Sequence, residues 1–299
     1  MTLPFLKMHG AGNDFVIFDA RHTPLSLTAQ QVREVSSRDN PATRGCDQLI
    51  VLEPSDNADA FMRIYNADGS QVDACGNATR CIADILEKEL GRLPVRIETN
   101  AGILQGLSKG TIDGQDYIRV DMGQPKLGWQ DIPLAMPLAE AAIRVKEVCG
   151  LIEQPHFISM GNPHVVFFLA FDAHERSPGF DSSLLADIDL VTAGSALEQA
   201  RDIFPEGVNV TIATLQAAPE GNRHLIHARV WERGAGLTQA CGTAACALLA
   251  AARQRHAAIG DVTVCFEPFL RIVNVRSGED GHMLLGGPVT REFEGRISL

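Results

Sequence analysis

What most constrains the fold of this chain is that short blocks from its first half return, in the same order, in its second. Ala74–Ala78 reads Ala-Cys-Gly-Asn-Ala and Ala240–Ala244 reads Ala-Cys-Gly-Thr-Ala, and each runs into an Ala-rich, helix-forming stretch. Gly12–Phe18 (Gly-Asn-Asp-Phe-Val-Ile-Phe) is echoed by Gly161–Phe167 (Gly-Asn-Pro-His-Val-Val-Phe), Gln48–Val51 by Asn209–Ile212, and Arg63–Asn66 by Arg229–Glu232. The spacing only grows along the chain, from 149 residues (Gly12 to Gly161) through 161 (Gln48 to Asn209) to 166 (Arg63 to Arg229, and Cys75 to Cys241). Insertions in the second copy produce that trend, whereas chance matches scatter. Two copies predict a duplicated domain, since a solenoid needs three or more repeats.

A length of 299 residues suits two such domains, each able to bury its own core. The net charge of −11 argues against nucleic acid or an anionic membrane as partner. No apolar run is long enough to span a bilayer, and Met1–Phe15 lacks a signal-peptide pattern, so the expected location is the cytoplasm. Seven cysteines, an odd number, point to reduced thiols rather than a disulfide framework. Of these, Cys46, Cys81, Cys149, Cys246 and Cys265 read as packing residues, although Cys46 lies two positions before Gln48 and so within reach of any site there.

Alternating apolar runs bounded by turn residues predict strands over 14–20, 48–53, 60–66, 95–99 and 116–121, then over 156–160, 165–170, 208–215, 225–232, 262–266 and 270–275. Helices are predicted over 28–38, with Thr28 as N-cap, over 78–90, with Ile82, Ile85, Leu86 and Leu90 as an apolar stripe, and over 243–255, apolar nearly all round. Gly123–Pro137 is Gly/Pro-rich without apolar periodicity and reads as a linker, with the domain boundary near Met122. Phe171–Arg201 matches no pattern in particular.

Each Cys-Gly pair puts a thiol just ahead of a helix, where the positive end of the dipole favours thiolate. Two such thiols suit a reaction that takes a proton from one face of a carbon and returns one to the other, because one base does not easily do both. The spacing lacks the Cys-x-x-Cys of a redox pair, and Cys75 with Cys81, or Cys241 with Cys246, fits no common zinc-ligand pattern. The turn at Gly10-Ala11-Gly12 has no third glycine placed for a phosphate loop.

Several of these blocks carry a resemblance over nearly the whole chain: Lys7–Phe15, Asp47-Gln48-Leu49, Tyr65–Ser70, Ala74–Asn77, Met160–His164 and Glu232–Gly242. They resemble the diaminopimelate epimerases, cofactor-independent enzymes that make meso-diaminopimelate for lysine and peptidoglycan synthesis. The resemblance implies an α+β fold of two similar domains related by a pseudo-twofold axis, each a curved sheet or barrel around a central helix, with the active site in the cleft between them. It divides the chain into residues 1–121, rejoined by a final strand at 283–299, and residues 122–282. It implies Cys75 and Cys241 as the acid–base pair, no cofactor, no metal and a homodimer.

By the same resemblance, the substrate is held by Asn13, Gln48, Asn66, Gly76, Asn77, Asn162, Asn209, Glu232, Arg233, Gly242 and Thr243. The backbone N–H groups at Gly76, Asn77, Gly242 and Thr243 are expected to hold the α-carboxylate, as helix starts hold anions. Arg233 suits the distal carboxylate through paired hydrogen bonds. His164 and Glu232 are expected to bias which thiol holds the proton. Plainer readings stand beside these: His164 bracing its strand, and Glu232-Arg233 as a surface pair. The alternative activity is racemisation of proline, hydroxyproline or histidine by the same pair of thiols, with a different grip on the side chain.

Overall fold

Gly12 and Gly161 sit at φ 85° and φ 95°, left-handed values that favour glycine, and each follows the first strand of its half. In the first half the turn joins β1 (Thr2–Gly10) to β2 (Asn13–Asp19), antiparallel. There follow α1 (Ala29–Ser36), β3 (Gln48–Glu53), β4 (Ala60–Asn66), β5 (Gln71–Val72), α2 (Gly76–Leu90), β6 (Val95–Thr99), β7 (Gly102–Ile112) and β8 (Gln115–Asp121). The second half holds α3 (Leu138–Cys149), β9 (Pro155–Ser159), β10 (Pro163–Phe171), α4 (Ser183–Ala186), α5 (Leu190–Gln199), β11 (Asn209–Ala217), β12 (Arg223–Glu232), β13 (Gly236–Thr238), α6 (Gly242–Arg255), β14 (Asp261–Phe266) and β15 (Arg271–Ser277), before the long β16 (Met283–Ser298). This computed structural model describes residues 2–73, 75–112, 115–151, 153–171, 183–217, 223–256 and 259–299.

The two halves share one topology. In the first, β2 runs parallel to β3, β3 antiparallel to β4, β4 parallel to β6 and β6 antiparallel to β7. In the second, β10 runs parallel to β11, β11 antiparallel to β12, β12 parallel to β14 and β14 antiparallel to β15. Register agrees as well, because Phe15 faces Gln48 as His164 faces Asn209. The chain folds as two units, Met1–Asp121 with Gly286–Leu299, and Met122–Leu285. In the first unit β16 pairs with β1 and borders β8, which closes an eight-stranded barrel, β1-β2-β3-β4-β6-β7-β8-β16.

Each unit wraps its sheet around one helix. The helix α2 packs on β1, β6, β7 and β8, with Cys81, Ile82, Ile85 and Leu86 buried, while α6 packs on β9, β10, β11, β14 and β15. A strand covered on both faces is apolar at consecutive positions rather than alternate ones, as at Phe15, Val16, Ile17 and Phe18 in β2. On the outer face Val16, Phe18, Leu49 and Val51 meet Val32 and Val35 of α1. Thr28 caps α1 with a reciprocal box to Gln31, an arrangement whose loss on Thr28→Ala costs about 1 kcal/mol.

Three expectations need correction. Gly123–Pro137 is no free linker, because Ile132 and Leu134 enter the core of the second unit and the Met122 N–H donates to Met283. Leu90 is exposed, so the buried part of α2 stops at Leu86. Cys46 is buried and donates to Ser36 at 3.4 Å, placing its sulfur in the core beneath α1 rather than with Gln48. Within Phe171–Arg201, residues 172–182 lie outside the described residues, and α5 packs on α3, β11 and β12.

Candidate active site

In the first unit Cys75 is the residue before α2, with φ −146° and ψ 113°, and its carbonyl accepts the first helical bonds from the Thr79 N–H and hydroxyl. The N–H groups of Gly76 and Asn77 lie in the first turn, where an α-helix has no intrahelical acceptor for them. The Cys75 thiol donates toward Asn13 Oδ1 at 3.8 Å, and the same oxygen accepts from Asn77 Nδ2 at 3.3 Å. The Asn13 amide nitrogen donates to Asp47 Oδ2 at 3.0 Å. That carboxylate also accepts from the Asp14 N–H at 3.1 Å and from Arg38 at 2.6 Å. Arg38 and the buried Lys7 both pair with Asp14; burial works against its charge, but their hydrogen bonds hold the Asp14 carboxyl well below the usual carboxylate range.

Arg80, fully buried one turn into α2, donates to Asn77 Oδ1 at 2.8 Å and so leaves the Asn77 amide nitrogen facing Asn13. Gly10 and Gly287 make room for this: a Cβ at Gly10 lies 2.9 Å from the Asn77 carbonyl oxygen, and one at Gly287 3.1 Å from the Arg80 guanidinium carbon. Gln48 and Asn66 face each other across β3 and β4, with Gln48 Nε2 donating to Asn66 Oδ1 at 3.2 Å. Gln48 Oε1 is buried and has no hydrogen-bond partner among the described residues.

In the second unit Cys241 takes the same place before α6, with φ −132° and ψ 117°, and its carbonyl accepts from the Ala245 N–H. Its setting is different. The thiol is buried, 3.3 Å from the Thr243 hydroxyl, and it also hydrogen-bonds the Glu232 carboxylate, whose other partner is the Thr238 hydroxyl. Burial pushes the Cys241 thiol well above the ordinary range and the negative charge of Glu232 pushes it further. Burial raises Glu232 too, against hydrogen bonds from Thr238 and Cys241. A proton is therefore held at this pair.

Asn162 holds its nitrogen 3.3 Å from Thr243 Oγ1 and its oxygen 3.0 Å from His164 Nε2. An amide oxygen can only accept, so Nε2 carries the ring proton, and a run of hydrogen bonds leads from His164 through Asn162 and Thr243 to Cys241. Burial, helped by the nearby Arg233, lowers the His164 pKa to about 3, so the ring is neutral. It touches Asn162 rather than a sulfur, and Asn162 and Thr243 lie between it and Cys241. Asn209 accepts from the Arg233 N–H at 2.9 Å and donates to the Pro163 carbonyl at 3.1 Å. The Arg233 guanidinium is exposed and donates to the Glu206 carbonyl at 2.9 Å, while the Glu232 carboxylate turns to Thr238 and Cys241. The two residues do not form a surface pair.

Sequence reasoning missed Asp47, Arg80 and Thr238, which hold Asn13, Asn77 and Glu232, and Arg38, which holds Asp47 in turn. Among the described residues, one group has the donors for a metal ion: His227, Cys265 and Glu267, with ligand atoms within 4.8 Å of one another. His227 Nδ1 lies 2.7 Å from Glu267 Oε1, and Cys265 donates to that same oxygen at 3.9 Å. Burial and the Glu267 charge raise the Cys265 thiol to about 11.

The family model for diaminopimelate epimerase matches residues 5–128 and 156–267. The chain belongs to the diaminopimelate epimerase family. It is 44% identical to the diaminopimelate epimerase of Acidiphilium cryptum (strain JF-5) over 98% of this chain and 96% of that one, and 42% identical to that of Phenylobacterium zucineum (strain HLK1) over 99% and 98%. Among solved structures, a predicted epimerase from Pseudomonas aeruginosa aligns with a TM-score of 0.66 at 17% identity over 99% of both chains. A hydroxyproline epimerase from Agrobacterium vitis aligns with a TM-score of 0.60 at 15% identity, over 99% of this chain and 91% of that one. At those identities the likeness speaks for the fold, and the fold is the one the family resemblance implied: α+β, with a sheet or barrel around a central helix.

Proposed function

We propose that this chain epimerises diaminopimelate at one α-carbon, LL to meso, without pyridoxal phosphate, and that Cys75 and Cys241 are its two acid–base groups. The observation that carries the reading is a thiol at the matched start of the central helix in each copy of a diaminopimelate epimerase fold. An α-proton is weakly acidic, so its removal needs the carbanion's charge spread onto a carboxylate held by aimed donors. The first-turn N–H groups of α2 and α6, at Gly76, Asn77, Gly242 and Thr243, are those donors. In the free enzyme the proton resides at Cys241, which its burial and Glu232 keep protonated. Cys75 then takes the α-proton as Cys241 delivers its own to the opposite face, and the protonation states are exchanged for the reverse direction. Arg233, exposed and held by the Glu206 carbonyl, takes the distal carboxylate.

The test is to incubate the purified protein in deuterated water with LL- and meso-diaminopimelate, proline, hydroxyproline and histidine. Expected is α-deuteration with epimerisation of diaminopimelate alone, insensitive to chelators. Turnover of proline or histidine in its place overturns the substrate, and exchange without inversion overturns the two-base scheme. No helix among the described residues is long and apolar enough to cross a membrane. The reading carries with it a cytoplasmic homodimer, checked by cell fractionation and by light scattering.

A further inference from the structure

Asn13 and Asn162 occupy matched positions, yet their amides point opposite ways. Asn13 turns its oxygen to Cys75 and its nitrogen to Asp47, whereas Asn162 turns its nitrogen to Thr243, beside Cys241, and its oxygen to His164. An asparagine side chain fits its site in either sense, and only its partners decide which. A carboxylate accepts and never donates, so Asp47 can meet Asn13 only through the amide nitrogen. His164 does the reverse through Nε2–H. The second copy has Val208 before Asn209 where the first has Asp47 before Gln48, and the first has Phe15 where the second has His164. The first copy could not hold its asparagine in the second copy's sense, because a carboxylate cannot donate.

We propose that Asp47 is a positioning residue of the first half-site, setting the Asn13 amide so that an acceptor and not a donor faces the sulfur of Cys75. The consequence for acid–base work rests on reading Cys75 as a proton carrier, but the orientation itself does not. Arg38 at 2.6 Å and the Asp14 N–H at 3.1 Å fix the carboxylate, and Lys7 with Arg38 anchors Asp14 in turn. An oxygen beside Cys75 accepts the S–H proton and favours the thiol once it has taken the substrate's proton. A nitrogen there would donate to the thiolate instead and oppose that step.

Asp47→Asn tests this. With Arg38 claiming the new amide oxygen, the new NH2 group meets two donors, Asn13 Nδ2 and the Asp14 N–H, and the Asn13 amide is driven to turn its nitrogen toward Cys75 against the single 3.3 Å bond from Asn77 Nδ2. Iodoacetamide labelling followed by peptide mass spectrometry reads the result, since only thiolate reacts. Followed at pH values below the Cys75 midpoint, where part of that thiol is protonated, labelling of Cys75 is expected to quicken roughly fivefold, the size of one ordinary hydrogen bond, with Cys241 unchanged. The reciprocal pair Asn13→Asp with Asp47→Asn puts an oxygen back beside the sulfur and should return Cys75 to the wild-type rate or below. A change under twofold at Cys75, or an equal change at Cys241, overturns the proposal. Asp47→Ser leaves the amide unheld and is the second variant, expected to shift Cys75 in the same direction. Failure of both single variants to fold makes Asp47 a structural residue and also overturns it. Labelling needs no turnover, so a wild-type protein inactive on diaminopimelate would refute the proposed activity and leave this result standing.

Discussion

The surroundings of Cys75 and Cys241 differ far more than their backbones do. Both thiols sit in extended geometry before a helix of the same topology, but one faces amides backed by a charged cluster of Lys7, Asp14, Arg38 and Asp47, and the other is buried against Glu232 and Thr243. Duplication kept the positions of the groups and not their polarity. A reaction that starts with one thiol protonated and the other ready to accept gains from that difference, because two identical sites would have no preferred resting state.

The largest effect should come from the sulfurs themselves. Cys75→Ala and Cys241→Ala are each expected to lower epimerisation by about a thousandfold or more, since each removes the proton carrier for one face; near-normal turnover by either variant breaks the comparison. Arg233→Met should raise the KM for diaminopimelate roughly thirtyfold with a smaller change in kcat, because a distal carboxylate is held alike in ground and transition states. Equal kinetics would leave Arg233 as a turn residue bound to Glu206.

Glu232→Gln sharpens the contrast by removing one charge. After burial, that charge is the largest influence raising Cys241, so the pH midpoint for Cys241 labelling should fall by about one unit, with no change at Cys75. Equal shifts at both thiols would mean the effect is not local. The smallest effect concerns His164. Its folded pKa of about 3 lies below the unfolded 6.5, so the unfolded chain binds more protons between those values and stability falls as pH drops through that window. The loss is at most about 1.4 kcal/mol per pH unit, and His164→Gln should flatten it in denaturant titrations at stepped pH. An unchanged slope would mean that the ring is protonated in the fold.

Much of this was legible from residue order. The strands over 48–53, 60–66 and 95–99 appear where apolar runs bounded by turns placed them, and the apolar segments after Cys75 and Cys241 are the two central helices. The strand β7 was not legible, because Gly102, Gly106 and Gly110 interrupt any alternation. Nor was α3, where exposed Leu138 and Ile143 blur the stripe made by buried Ala141, Ala142 and Val145. The side chains holding the site were hidden for another reason. Asp47 and Asn13 are 34 positions apart and meet only because β2 and β3 run parallel in one register, information that no local pattern carries.

The closing strand of the barrel has a consequence for how this protein is made. During synthesis the first unit emerges with β1 and β8 as open edges, and the strand that pairs with both, β16, begins only at Met283. The second unit, Met122–Leu285, is released whole in the meantime, so the half that begins the chain is the last to finish. Until then the nascent polypeptide exposes unpaired strand edges to its neighbours on the polysome, and a ribosome stalled late in the message leaves a finished second unit tethered to an open sheet, the form most prone to aggregate.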